Sequence, residues 1–136
     1  MMTSKFSTFL KINAFSFCLF FIFSCQSDKI PDVGIDWSQW QISKDSCTSY
    51  RLENYKKIVD KKALFTGIKE KEIQQVLGLP DQSNLHKRMS KTIYYQISGE
   101  SCDPSATFNK YLAFDFESLR RLTTVRIEVS PVSKKR

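Results

Sequence analysis

The apolar positions of this chain change period along its length, and each period predicts a different element. Leu52, Tyr55, Ile58, Val59 and Ala63 recur at helical spacing, with Arg51, Glu53, Lys56, Lys57, Asp60 and Lys61 on the opposite face. Thr48 and Ser49 offer an N-cap for this helix, which is expected to end near Lys62. A second, shorter helix is predicted from about Lys69 to Leu77. Its buried face is Ile73, Val76 and Leu77, Ile68 packs back on it as a staple, and Glu70 and Glu72 sit at its positive end. Gly78 supplies the left-handed stop and Pro80 prevents continuation.

Beyond a polar stretch from Asp81 to Ser90, the period becomes two. Ile93, Tyr95 and Ile97 alternate with polar or outward residues, then Leu112, Phe114 and Phe116, then Val125, Ile127 and Val129. These read as three half-buried strands. Their order and short connections favour an antiparallel meander. The expected fold is α+β: two N-terminal helices packed on a three-stranded antiparallel sheet, a two-layer sandwich over residues 45–130. Residues 25–44, with Pro31 and Gly34, read as a tether. Trp37 and Trp40 interrupt it and are candidates for covering one end of the core. Residues 131–136 form a basic C-terminal tail.

The N-terminal stretch shows neither period. Lys5 and Lys11 precede an apolar run from Ala14 to Phe23, and Ser24 follows it. A run of about ten is too short for a bilayer core, which takes roughly 20 residues. It is read as a targeting segment, residues 1–24. Ile22-Phe23-Ser24-Cys25 resembles the lipobox of bacterial lipoproteins. The resemblance implies cleavage before Cys25 and acylation of its sulfur, with Phe23 a less usual residue in that motif. Two or more acyl chains, at about 0.8 kcal/mol per buried CH₂, anchor stably where one is marginal. An ordinary cleaved signal and an uncleaved membrane anchor are the alternatives. Gln26 and Ser27, with no acidic residue after Cys25, favour the outer membrane by similarity to enterobacterial lipoproteins. The expected location is therefore the bacterial cell envelope, with the domain facing the periplasm.

Removal of residues 1–24 leaves 112 residues, enough for one domain. The formal charge of +7 falls to +5, because two lysines and no acid leave. The remaining basic residues are scattered, as on a solvated surface; next to a membrane they would be drawn to anionic headgroups. An exported chain rarely meets nucleic acid, so no nucleic-acid partner is expected.

With Cys18 removed and Cys25 acylated, Cys47 and Cys102 remain as an even pair in an oxidising compartment. A disulfide between them is expected, with two unpaired thiols as the alternative. It would close a loop of about 55 residues and contribute roughly 4 kcal/mol in the chain-entropy picture. It would also fasten the 98–110 connection to the entrance of the first helix. Two cysteines and one distant histidine lack the paired spacing of a metal site.

Phe65-Thr66-Gly67-Ile68-Lys69-Glu70-Lys71-Glu72-Ile73-Gln74-Gln75-Val76-Leu77-Gly78-Leu79-Pro80-Asp81 resembles the small outer-membrane lipoproteins of the BamE/SmpA type. Their pattern is a glycine, a short capped helix, then Leu-Gly-x-Pro. A tyrosine-rich strand like Ile93-Tyr94-Tyr95 and a hairpin like Leu112 to Val129 follow. The resemblance covers about residues 49–129. It implies a helix–helix–three-strand domain with an accessory, non-enzymatic part in outer-membrane protein assembly. Lys69 stands where that family often has Ser or Thr, and the turn from Glu117 to Leu122 lacks the usual glycine.

Reaction chemistry is sparse. His86 is the sole histidine and lies in the polar stretch, where an exposed loop position is expected. Asp115 and Glu117 alternate at a strand end and read as solvent-facing. Tyr94, Tyr111 and Trp40 are candidates for a binding surface or for core-edge packing. No catalytic residue, metal, cofactor or small-molecule substrate is expected. Two function classes follow. A lipid-anchored interaction or assembly module with an envelope protein partner predicts an exposed apolar patch on a sheet edge or face. A periplasm-facing inhibitor or small-ligand-binding lipoprotein predicts a groove or a protruding loop, with residues 98–110 as the candidate.

Overall fold

The computed structural model describes residues 30–46 and 49–132. The signal segment, Cys25, Cys47 and most of the basic tail lie outside the described residues. Three α-helices precede a four-stranded antiparallel sheet: α1 (Trp37–Ser46), α2 (Tyr50–Asp60), α3 (Glu70–Leu77), β1 (Gln82–Leu85), β2 (Lys91–Ser98), β3 (Phe108–Phe116) and β4 (Leu122–Pro131). A short 3₁₀ turn, Lys62–Phe65, links α2 towards α3, and its Phe65 is fully buried. The strands lie in the order β1-β2-β3-β4, each paired with its neighbour in the chain.

The α+β class and helices-then-sheet order agree with the expectation, but one helix and one strand are additional. Helix α1 occupies residues assigned to a tether. Asp36 begins it: its Oδ1 accepts hydrogen bonds from the Ser38 and Gln39 backbone N–H groups at 2.9 and 3.2 Å, an N-cap arrangement. Trp40 is wholly buried in the main core, and Trp37 meets it edge-on at 6.3 Å. The core reaches further back, to Val33 and Ile35, with Ile30 packed against it. Helix α1 carries too few inward apolar residues to show a helical period: Ser43 is buried below Trp40, and Ile42 faces out.

Strand β1 is the second addition. Gln82, Ser83, Asn84 and Leu85 are all exposed and show no alternation. Backbone pairing with β2, from Gln82 opposite Tyr94 to Leu85 opposite Lys91, makes the strand.

Helix α2 is rotated relative to the predicted stripe. Tyr55 and Ile58 are buried as expected, but Arg51 and Asn54 complete the inner face while Leu52 stands exposed. Ser49 is the N-cap residue; its hydroxyl bonds the Glu53 carboxylate rather than a backbone N–H. Helix α3 follows its prediction closely. Ile68, Ile73 and Leu77 are buried, Val76 packs alongside, and Gly78 ends the helix at φ +83°. Glu70 anchors α3 to the sheet through Lys91 at 2.6 Å and Arg120 at 3.6 Å.

On the helix-facing side of the sheet, Ile93, Tyr95, Ile97, Leu112, Phe114, Phe116, Leu122 and Val125 are buried. Ile127 and Val129, expected to join them, are 41% and 54% exposed. The helices stop short of that end of β4. The opposite face has its own small cluster of Tyr94, Tyr111 and Ala113.

Candidate interaction surface

Three places concentrate polar chemistry or uncovered apolar surface. The first is interior. Arg51, 3% exposed, enters the helix–sheet interface from α2. Its Nε donates to the Trp40 carbonyl at 3.0 Å; Nη1 donates to Asp81 Oδ2 at 3.0 Å and to the Gln96 carbonyl at 3.2 Å. The guanidinium lies over the rings of Trp40 and Tyr95, at 5.4 and 5.8 Å from their centroids. Asp81 also accepts from the Gln96 backbone N–H at 2.7 Å and faces Lys44 at 3.6 Å. Tyr95 donates its hydroxyl proton to the Gly78 carbonyl at 2.8 Å, and burial pushes its phenol well above the ordinary tyrosine range. This network joins α1, α2, the turn after α3 and β2.

Cys102 borders the network. It shares a recess of about 30 Å³ with Ser43, Lys44, Arg51, Asp81 and Gln96, in the loop after β2. Cys102 is disulfide-bonded, and the cysteine it pairs with lies outside the described residues. The recess places Cys102 beside Ser43 and Lys44, in the second half of α1, a few residues before position 47 in the chain.

The second place is the outer face of the sheet. His86, exposed in the β1–β2 loop as expected, is nevertheless engaged. Its Nε2 lies 2.9 Å from Thr92 Oγ1, and the Thr92 hydroxyl donates to Asp115 Oδ1 at 2.6 Å. With that single hydroxyl proton committed to the carboxylate, Nε2 must carry the hydrogen between His86 and Thr92. Asp115 also accepts from Arg126 Nε at 2.8 Å, and Arg126 reaches Glu128 on its other side. The Asp115 and Glu128 hydrogen bonds hold the Arg126 proton more tightly than usual. The chain of groups clasps the β1–β2 loop to the sheet. Beside it opens a hollow of about 340 Å³, bordered by His86, Thr92, Asp115, Glu117 and Arg126. Asp115 is therefore a bonding hub rather than a free surface acid, while Glu117 stays exposed in the β3–β4 turn.

The aromatic candidates are split. Tyr94 and Tyr111 meet edge-on at 6.0 Å on the outer face, whereas Trp40 is in the core between helices and sheet. They do not form one binding surface.

The third place is β4, an edge of the sheet. Its first residue is covered: the Gly67 N–H donates to the Leu122 carbonyl at 2.8 Å, and the Leu122 N–H donates to the Ile68 carbonyl at 2.9 Å. From Thr123 to Ser130, nothing among the described residues pairs with the free side of the strand. Val132 donates to the Thr107 carbonyl at 3.0 Å, which sets the alternation. From Thr124 onward, past the register shift, even-numbered residues of β4 bond inward to β3, and Val125, Ile127 and Val129 direct their backbone N–H and C=O groups outward. Pro131, without an N–H, closes the far end. Ile127 and Val129 lie on the helix-facing side beside Phe108, which is 57% exposed. The predicted apolar patch at a sheet edge is thus present. Its residues were legible as a strand, but their exposure depends on how far α2 reaches across the sheet.

No family model matches this chain, and neither does any curated protein or solved structure.

Proposed function

We propose that this chain is a lipid-anchored protein of the bacterial envelope whose folded part is a non-enzymatic interaction or assembly module. The observation that carries the reading is the open β4 edge with Ile127, Val129 and Phe108 uncovered beside it. A long apolar edge is a ready template for strand addition by a partner. The lipobox-like Ile22-Phe23-Ser24-Cys25 supplies the anchor, and the Leu-Gly-x-Pro helix end is the feature that resembles BamE/SmpA-type lipoproteins; the additional helix α1 and strand β1 are further departures from that pattern.

The early start of the fold supports a membrane-proximal role. Ile30 already packs on the core, five residues after Cys25. Five extended residues span at most about 18 Å. An acylated Cys25 therefore holds the domain close against the membrane rather than on a long leash.

Two measurements test the reading in the native bacterium. Mass spectrometry of the mature protein should find an acylated Cys25 at its N-terminus. A photo-crosslinking residue at Val129 should capture a protein in intact cells, whereas one at exposed Lys56 on α2 should not. A mature terminus without acyl mass removes the anchor; equal capture from both positions removes the edge as the docking surface.

A second reading, small-ligand binding, is favoured by the hollow beside His86, whose volume falls in the range of ligand sites. Thermal-shift screening against small carboxylates and phosphates, with Arg126→Gln as control, separates the two.

A further inference from the structure

We infer that the β4 edge is built to pair with the β4 edge of a second copy, in one antiparallel register centred on Ile127. The inference rests on reading β4 as the interaction edge and names its occupant.

The backbone alternation restricts the choice. Val125, Ile127 and Val129 carry the outward N–H and C=O groups, so an antiparallel partner must set odd residues opposite odd residues to form the ladder. A two-fold axis at Ile127 does this, with Ile127 opposite its own copy and Val125 opposite the copy's Val129. The paired stretch then runs from Thr124 to Ser130, inside the open part of the edge and clear of both Leu122 and Pro131.

Charge selects this register over its neighbours. Arg126 and Glu128 both project on the outer face of β4. Centred on Ile127, each Arg126 stands opposite the copy's Glu128, twice over by symmetry. Shifting the axis to residue 126 sets arginine against arginine, and shifting it to residue 128 sets glutamate against glutamate. Both are unfavourable, since like charges directly opposite one another destabilise a strand pair. On the other face, the same register brings Ile127 and Val129 of both copies together and covers the apolar surface that α2 leaves open. The product is a continuous eight-stranded sheet with all helices on one side. An isologous contact of this kind closes on itself and cannot grow into a fibre.

The test is an exchange of charge. Sedimentation equilibrium of the full chain in density-matched detergent should show a dimer. Glu128→Arg alone places two Arg–Arg pairs across the axis, and Arg126→Glu alone places two Glu–Glu pairs. Each variant should be monomeric at concentrations where the unsubstituted chain is dimeric, at least tenfold weaker in association. An equimolar mixture of the two restores both opposite-charge pairs and should form a one-to-one heterodimer. Ile127→Lys, at an exposed side chain, should also give a monomer with an unchanged circular dichroism spectrum and melting temperature. A monomeric unsubstituted chain overturns the inference even where Val129 crosslinks to another envelope protein, an outcome that leaves the interaction-module reading standing. Dimers that persist in the single variants, or a mixture that stays monomeric while both variants remain folded, also overturn it.

Discussion

Arg51 and Asp81 are joined at 3.0 Å inside the helix–sheet interface, thirty residues apart in the chain. The same guanidinium also donates to two backbone carbonyls, those of Trp40 and Gln96, and lies over two rings. Lysine, a compact cation without a planar fork, could not satisfy these partners together. Asp81→Leu should therefore destabilise the domain by about 3–5 kcal/mol, because it strands the Arg51 charge in a poorly solvated site, and Arg51→Met should cost less, because Lys44 still faces Asp81 at 3.6 Å. The double variant should lose far less than the sum. Urea unfolding of all four proteins gives the coupling; additive losses would show that the pair acts as two separate contacts.

Tyr95 makes the fold sensitive to alkali. Its folded-state proton is held more tightly than in the unfolded chain. Stability from this group is complete below the ordinary phenol value of about 10 and is lost as pH rises above it, since only the unfolded chain then ionises freely. Melting temperature should fall progressively above about pH 10. Tyr95→Phe should start lower, for want of the Gly78 hydrogen bond, and should decline less steeply over the same window.

Gly78 ends α3 with φ +83° and ψ −177°, a conformation nearly reserved for glycine. A Cβ there would also sit 3.1 Å from Gln41 Cγ on α1. Gly78→Ala should cost about 1–3 kcal/mol of stability. Adding Gln41→Ala should recover only the steric part, and complete recovery in a chemical-denaturation series would assign the whole cost to crowding.

A non-reducing peptide map should join the fragments holding Cys47 and Cys102. Cys102→Ser should lower stability by roughly 4 kcal/mol, the loop-closure value for a bridge of this span. A map that links Cys102 to another cysteine, or a variant as stable as the parent, sets this pairing aside.

The elements legible in the sequence were those whose burial follows a repeat. Ile73 and Leu77 at helical spacing, and Ile93 with Tyr95 or Leu112 with Phe114 at period two, all face the core. What escaped notice is held by partners rather than periodicity. Helix α1 turns on one tryptophan and a capping aspartate; β1 is shaped by its neighbour's backbone. Arg51 sits where a charge belongs outside because its partners come from three other segments. The contact of His86 with Asp115 through Thr92 likewise spans two hairpins, and no local spacing announces it. Ile127 and Val129 kept their alternation but not their burial, since the pattern fixes a face and not how much of it is roofed.

The meander order bears on how this protein comes into being. Every strand bonds to the one made just before it, so each hairpin can zip without waiting for a distant segment. The helices are different: Ile58, Ile73 and Leu77 have no floor until β2 and β3 exist. A chain delivered N-terminus first thus presents the apolar faces of α2 and α3 before the surface that receives them emerges. Its most vulnerable moment falls in that interval, and a chaperone that shields the leading half would protect it best.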